Sequence, residues 1–167
     1  MSKPIVILGS ARSDGETLRA ISLMFSKDVV DIIDLNLHSI SAYDYEYAND
    51  GDDFLKIIEC VQSTDTVIFA TPVYWYSMSG ALKIFFDRLA DLITIHKKIG
   101  RSLAGKGIYL IATGTDEALP DGFEVPFLRT ADYFDMVYRG AAYLYTGDDR
   151  ALRAASENAL REFAFKL

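Results

Sequence analysis

Short apolar runs alternate along this chain with longer segments whose apolar residues recur at helical spacing. Ile5–Leu8 is an unbroken run of β-branched and aliphatic residues ended by Gly9, the pattern of a strand buried on both faces. Leu18, Ile21 and Phe25 follow at i, i+3 and i+7, one face of a helix. Val29–Leu35 reads as a second strand, and Phe54, Ile58 and Val61 mark a second helix with an Asp-rich start that suits the helix dipole. Thr66–Ala70 is a third strand, stopped by Pro72. Leu82, Phe85, Phe86 and Leu89 give the clearest amphipathic helix, with Ser79 as its N-cap. Gly107–Ala112 makes a fourth strand. Phe127, Leu128, Ala131 and Phe134 predict a helix entered through Pro126. Ala141–Tyr145 is a fifth strand, and Leu152, Ala155, Ala159 and Phe163 mark a closing helix.

Five strands alternating with five helices predict an α/β fold of parallel βαβ units, with right-handed crossovers and helices on both faces of one sheet. In such a sheet ligands bind beyond the carboxyl ends of the strands, at the topological switch point. The loops after the first, third and fourth strands are therefore the place to look for chemistry.

Composition narrows the chemistry. At 167 residues the chain is the length of one domain, expected to span 1–167. The net charge of −7 disfavours nucleic acid and anionic membranes as partners, both of which need a basic footprint. It does not exclude a phosphate held locally by a helix N-terminus and one arginine. A single cysteine, Cys60, excludes an internal disulfide and a cysteine zinc site; its apolar neighbours suggest a buried thiol. No apolar run approaches the roughly 7–15 residues of a signal peptide or the roughly 20 of a membrane span, so a cytoplasmic protein is expected. His38 and His96 have no carboxylate or cysteine at ligand spacing and read as surface residues. Tyr43–Asp53, with five acids and no base, reads as a solvated loop. Lys83 and Asp87, at i and i+4, predict an exposed ion pair. His96–Lys106 concentrates Lys97, Lys98, Arg101 and Lys106; it reads as a solvated connection that could attract the phosphates of NADP.

Ser10, Arg12, Ser13 and Thr17 place hydroxyl and guanidinium donors in the first loop, where the opening N–H groups of a helix are unpaired. The loop matches neither Gly-x-Gly-x-x-Gly nor the P-loop, and it is equally compatible with an ordinary capped βα turn. Asp14 and Glu16 weigh against a phosphate, since they set two carboxylates beside it, unless they turn outward and complement the helix dipole. The second loop, Pro72-Val73-Tyr74-Trp75-Tyr76-Ser77-Met78, carries three consecutive aromatics that cannot all face a core. A flat aromatic ligand or a protein interface would each account for them. Thr113, Gly114 and Thr115 in the third loop suit a polar ring edge approaching backbone amides.

In order, these segments resemble the flavodoxin-like NAD(P)H-dependent FMN reductase family, including the multimeric flavodoxins. The strongest match is Asp65–Arg88, where Thr71-Pro72-Val73-Tyr74-Trp75-Tyr76-Ser77-Met78-Ser79-Gly80 precedes Lys83, Phe86, Asp87 and Arg88. The resemblance implies a flavodoxin-like three-layer sandwich with strand order 2-1-3-4-5, and a homodimer or homotetramer. It implies FMN, with its phosphate at Ser10, Arg12 and Thr17, its ring along Pro72–Met78, and its other side closed by Thr113, Gly114 and Thr115. NAD(P)H would deliver a hydride to flavin N5, and a small-molecule acceptor such as a quinone would receive it, with no catalytic side chain. The alternatives are a flavodoxin-type electron carrier that docks redox proteins, and a binding module of the same fold without FMN.

Overall fold

The computed structural model describes residues 2–49 and 51–164. Strand β1 (Ile5–Leu8) pairs in parallel with β2 (Asp31–Asp34) on one side and β3 (Thr66–Pro72) on the other. β3 pairs with β4 (Gly107–Gly114) and β4 with β5 (Val137–Tyr145), giving the order β2-β1-β3-β4-β5. The chain leaves β1 toward β2 and then returns to β1's other side, so the switch point lies between β1 and β3.

Alternation of side chains divides each central strand between two layers. Ile5, Ile7, Val67, Phe69, Ile108 and Leu110 face a core shared with α2 (Phe54–Gln62), α3 (Gly80–Arg88) and α6 (Val125–Tyr133). Val6, Leu8, Ile68, Ala70 and Ile111 face the opposite layer, built by α1 (Glu16–Met24) and α7 (Arg150–Ala164). Burying one such aliphatic or aromatic side chain is worth roughly 1.5–3 kcal/mol. With both faces filled, the strands read as continuous apolar runs.

Two local devices join strand to helix at the switch point. Ser79 N-caps α3 by accepting the Leu82 N–H, and its hydroxyl donates to the Gly9 carbonyl at 2.7 Å. Gly9 has no space for a side chain, since a Cβ there would lie 2.6 Å from that of Leu82. Pro126 enters α6 in its first turn, as expected.

Several expectations are corrected. β2 is shorter than Val29–Leu35, because Leu35–Leu37 forms a 3₁₀ turn. β3 runs on to include Pro72. β5 starts earlier, at Val137, crossing an irregular register where Gly140 adopts φ 115° and breaks the apolar pattern. Two short helices, α4 (Asp91–Thr94) and α5 (Lys97–Arg101), fill the connection after α3. Cys60 is exposed. The buried face of α2 carries Phe54, Ile57, Ile58 and Val61, and Cys60 is turned roughly 110° from the centre of that face. On α7, Ala155 and Ala159 are exposed, because the sheet-facing place is taken by Ser156, whose hydroxyl accepts the Tyr145 N–H. Lys106 is buried rather than solvated; its Nζ donates to the carbonyls of Gln62 and Thr64, closing the end of α2. It stands just before β4, whose 8 residues at about 3.3 Å each place Lys106 roughly 25 Å from the loops at the other end of the sheet.

Candidate functional site

The first, third and fourth strands release their loops into one cleft of about 200 Å³. Ser10, Arg12 and Thr17 line it from the first loop, Pro72, Val73 and Tyr74 from the second, and Thr113, Gly114 and Thr115 from the third. Nine of the thirteen residues expected at a site are thus brought together. The other four are not: Trp75, Tyr76 and Ser77 stand exposed beyond the cleft, and Met78 is buried in the core.

The floor of the cleft is polar and internally bonded. The hydroxyls of Thr17 and Thr113, both buried, lie 3.0 Å apart. The Val73 N–H donates to the Thr113 carbonyl at 2.7 Å, tying the second loop to the third. Thr146, which the sequence reading missed, donates both its N–H and its hydroxyl to the Gly114 carbonyl, at 2.7 and 3.0 Å. It follows β5 directly, so the rule that ligands bind at the carboxyl ends of strands would have found it. Tyr143 supports the same loop by donating its phenol to the Asp116 carbonyl at 2.9 Å. Burial, assisted by the Asp116 carboxylate, pushes that phenol up to about 12, so it remains a donor at neutral pH.

The entrance to α1 is arranged for an anion. Gly15 occupies the N-cap without a side-chain cap, leaving the first-turn N–H groups to an outside acceptor. Among the described residues Arg12 has no carboxylate partner within ion-pair distance, although the protein is acidic. Its guanidinium packs 3.7 Å from the place a Gly15 side chain would fill. Glu16 also lines the cleft, but its carboxylate is engaged by Arg153, at 2.8 Å to both oxygens, and by Arg19 at 3.4 Å. The acid that opposed an anion cradle is thereby neutralised by α1 and α7. Hydroxyls, free N–H groups and one unpaired guanidinium form a donor set suited to a phosphate dianion, and the residues present fit FMN.

The aromatic loop has an unusual backbone. Tyr74 and Ser77 exchange both backbone hydrogen bonds, at 2.9 and 3.1 Å, closing a two-residue hairpin. Trp75 and Tyr76 at its tip adopt φ 50° and 62°, conformations that hairpins usually assign to Asn-Gly. Each costs on the order of 1 kcal/mol. Trp75 is 94% exposed, Tyr76 71% and Tyr74 45%.

The acidic stretch is a largely solvent-accessible loop, as expected, except at Asp52. Asp52 is nine-tenths buried and pairs with the buried Arg88 guanidinium, which also donates from Nε to Asp91 at 2.8 Å and from Nη1 to the Ser41 carbonyl at 3.2 Å. Arg88 stacks 4.7 Å over the Phe54 ring. Asp44 and Asp53 accept nearby backbone N–H groups, while Asp50 lies outside the described residues. Lys83 and Asp87 form the expected exposed pair. His38 is half-buried 3.7 Å from Asp53, and no metal-binding cluster occurs among the described residues.

A doubly wound 2-1-3-4-5 sheet with its cleft between β1 and β3 defines a flavodoxin-like protein. More narrowly, residues 2–151 match the NADPH-dependent FMN reductase family, and the chain belongs to it. It is 36% identical over 86 residues to an FMN reductase (NADPH) of Escherichia coli, covering 51% of this chain and 40% of that protein. It is 31% identical over 107 residues to an NADPH azoreductase of a Bacillus species, covering 63% and 60%. The chain spans about half the length of the curated relatives it matches. Its fold superposes on the Trp repressor binding protein of Bacillus subtilis with a TM-score of 0.76, at 25% identity over 96% of both chains. General stress protein 14 of Treponema denticola, solved in complex with FMN, shares the fold at a TM-score of 0.70 and 19% identity, over 99% of this chain and 97% of that one.

Proposed function

We propose that this chain is an FMN-dependent NAD(P)H oxidoreductase acting on a small electron acceptor such as a quinone, with residues 1–167 forming one FMN-binding domain. The observation that carries the reading is Arg12, a guanidinium without a carboxylate partner among the described residues, beside the uncapped N-terminus of α1.

Arg12 neutralises the phosphate, while Ser10, Thr17 and the first-turn N–H groups donate to its oxygens. Pro72 and Val73 give one ring face an apolar wall. Thr113 and Gly114, whose N–H groups belong to the sheet, hold Thr115 just past β4, where its backbone N–H is offered to the polar ring edge. When bound, FMN supplies the hydride-accepting and hydride-donating centre between nicotinamide and acceptor. The protein binds and orients, and no side chain of the cleft serves as acid or base. Tyr74, the one ring of the aromatic run that lines the cleft, borders the flavin ring beside Pro72 and Val73. Exposed apolar side chains on α3, α4 and α6 (Ile84, Ile93, Val125, Leu128 and Tyr133) support assembly as a homodimer or homotetramer.

Titration of the purified protein with FMN, followed by flavin fluorescence, tests the cofactor. Steady-state oxidation of NADH and NADPH with a quinone tests the activity. Saturable quenching and quinone-dependent oxidation are expected. Quenching without oxidation would leave the electron-carrier reading, and no quenching would remove the cofactor from the account. Among the described residues no helix is long and apolar enough to cross a membrane.

A further inference from the structure

The Ser10–Ala11 peptide is held from outside the cleft. Asn36, in the 3₁₀ turn after β2, donates from its Nδ2 to the Ser10 carbonyl at 2.7 Å. That turn is itself fixed, because the buried Asp34 carboxylate accepts the Asn36 N–H at 2.9 Å. Topology gives the bond a direction. β2 and β3 flank β1 on opposite sides, so Asn36 stands on one flank of the first loop and the walls of the cleft stand on the other. A planar trans peptide points its N–H away from its C=O. With the carbonyl drawn toward the β2 flank, the Ala11 N–H turns toward the β3 flank, where the cleft opens. Among the described residues this N–H finds no acceptor within the protein, and Ser10, its neighbour, lines the cleft.

We infer that Asn36 is a positioning residue for phosphate recognition: it locks the Ser10–Ala11 peptide so that the Ala11 N–H, and not the Ser10 carbonyl oxygen, faces the anion. The inference rests on the reading of the cleft as an FMN site. Released from Asn36, the peptide is free to rotate, and a carbonyl lone pair turned toward a phosphate dianion repels it. An aspartate at this position presents only acceptor atoms to the Ser10 carbonyl, so it drives the peptide away from the cradle more strongly than alanine does.

Binding of FMN and of riboflavin, which lacks the phosphate, is compared by fluorescence titration for the wild type, Asn36→Ala and Asn36→Asp, each checked by thermal melting. Asn36→Ala is expected to weaken FMN about tenfold, as for a lost charge-assisted hydrogen bond, and to leave riboflavin unchanged. Asn36→Asp is expected to weaken FMN further. The 31P resonance of bound FMN should shift in Asn36→Ala. If FMN and riboflavin weaken in parallel, Asn36 has only a structural role and the inference fails. Equal FMN affinity in wild type and Asn36→Ala overturns it too, with the cofactor reading intact. A wild type that binds no FMN overturns that reading first and the inference with it.

Discussion

The hydroxyl oxygens of Thr17 and Thr113 lie 3.0 Å apart beneath the cleft, joining the first turn of α1 to the end of β4. The two residues are 96 positions apart in sequence, and both are buried. One hydrogen bond thus sets the spacing between the proposed phosphate loop and the loop proposed for the ring edge. Thr17→Val should destabilise the fold by about 1–3 kcal/mol, because the Thr113 hydroxyl is left buried and unpaired. The double variant Thr17→Val/Thr113→Val should recover most of that loss. Denaturant unfolding of the four proteins in a double-mutant cycle measures the coupling, and strictly additive losses would contradict it.

Arg12 is predicted to serve binding and not folding. It is exposed and has no carboxylate partner among the described residues. Arg12→Ala should leave the melting temperature unchanged while weakening FMN by about 10- to 100-fold, as for a hydrogen bond to a charged group. An equal loss of riboflavin affinity would mean that the guanidinium does not address the phosphate.

Arg88 presents the opposite case. Its side chain is 3% exposed and bridges two buried carboxylates from separate segments. Arg88→Met should destabilise by about 3–5 kcal/mol, since removing one partner strands the other charges. Chemical denaturation measures this, and a loss below about 1 kcal/mol would reduce the bridge to a surface pair.

The same bridge predicts how stability responds to acid. Burial favours the neutral form of Asp52, but hydrogen bonds from Arg88 and from the Ser41 and Phe54 N–H groups outweigh it and hold the carboxyl below the ordinary carboxylate range. The folded value lies below the unfolded one, near about 3.9. The contribution of Asp52 is therefore complete above about pH 4 and is lost as pH falls through the folded value. Denaturation midpoints measured from neutral pH downward should show this loss, and Asp52→Asn should start less stable and follow a flatter acid limb. An acid limb of unchanged slope in Asp52→Asn would rule the assignment out.

Tyr76 holds a left-handed backbone that glycine adopts without penalty. Tyr76→Gly should raise stability by about 1 kcal/mol in denaturant melts. No gain would show that contacts of the ring already offset the strain.

The sequence by itself determined the order of strands and helices, because a sheet covered on both faces demands apolar residues at every position of its inner strands. It also located the three loops of the cleft, since strand ends are marked by Gly9, Pro72 and Gly114 and ligands gather at carboxyl ends. Nine of the residues it singled out line that one cleft for the same reason. Only the tertiary structure decided what depends on partners remote in the chain. Asp52 looks solvated until Arg88, 36 positions on, is folded against it. Glu16 looks hostile to an anion until Arg153 of α7 neutralises it. The Tyr74–Tyr76 run reads as three equivalent rings, yet a two-residue hairpin turns Trp75 and Tyr76 away from the cleft that Tyr74 lines. Hydrophobic periodicity records whether a position is buried. It carries no record of which distant polar group a side chain will meet, and at this site those pairings set the electrostatics.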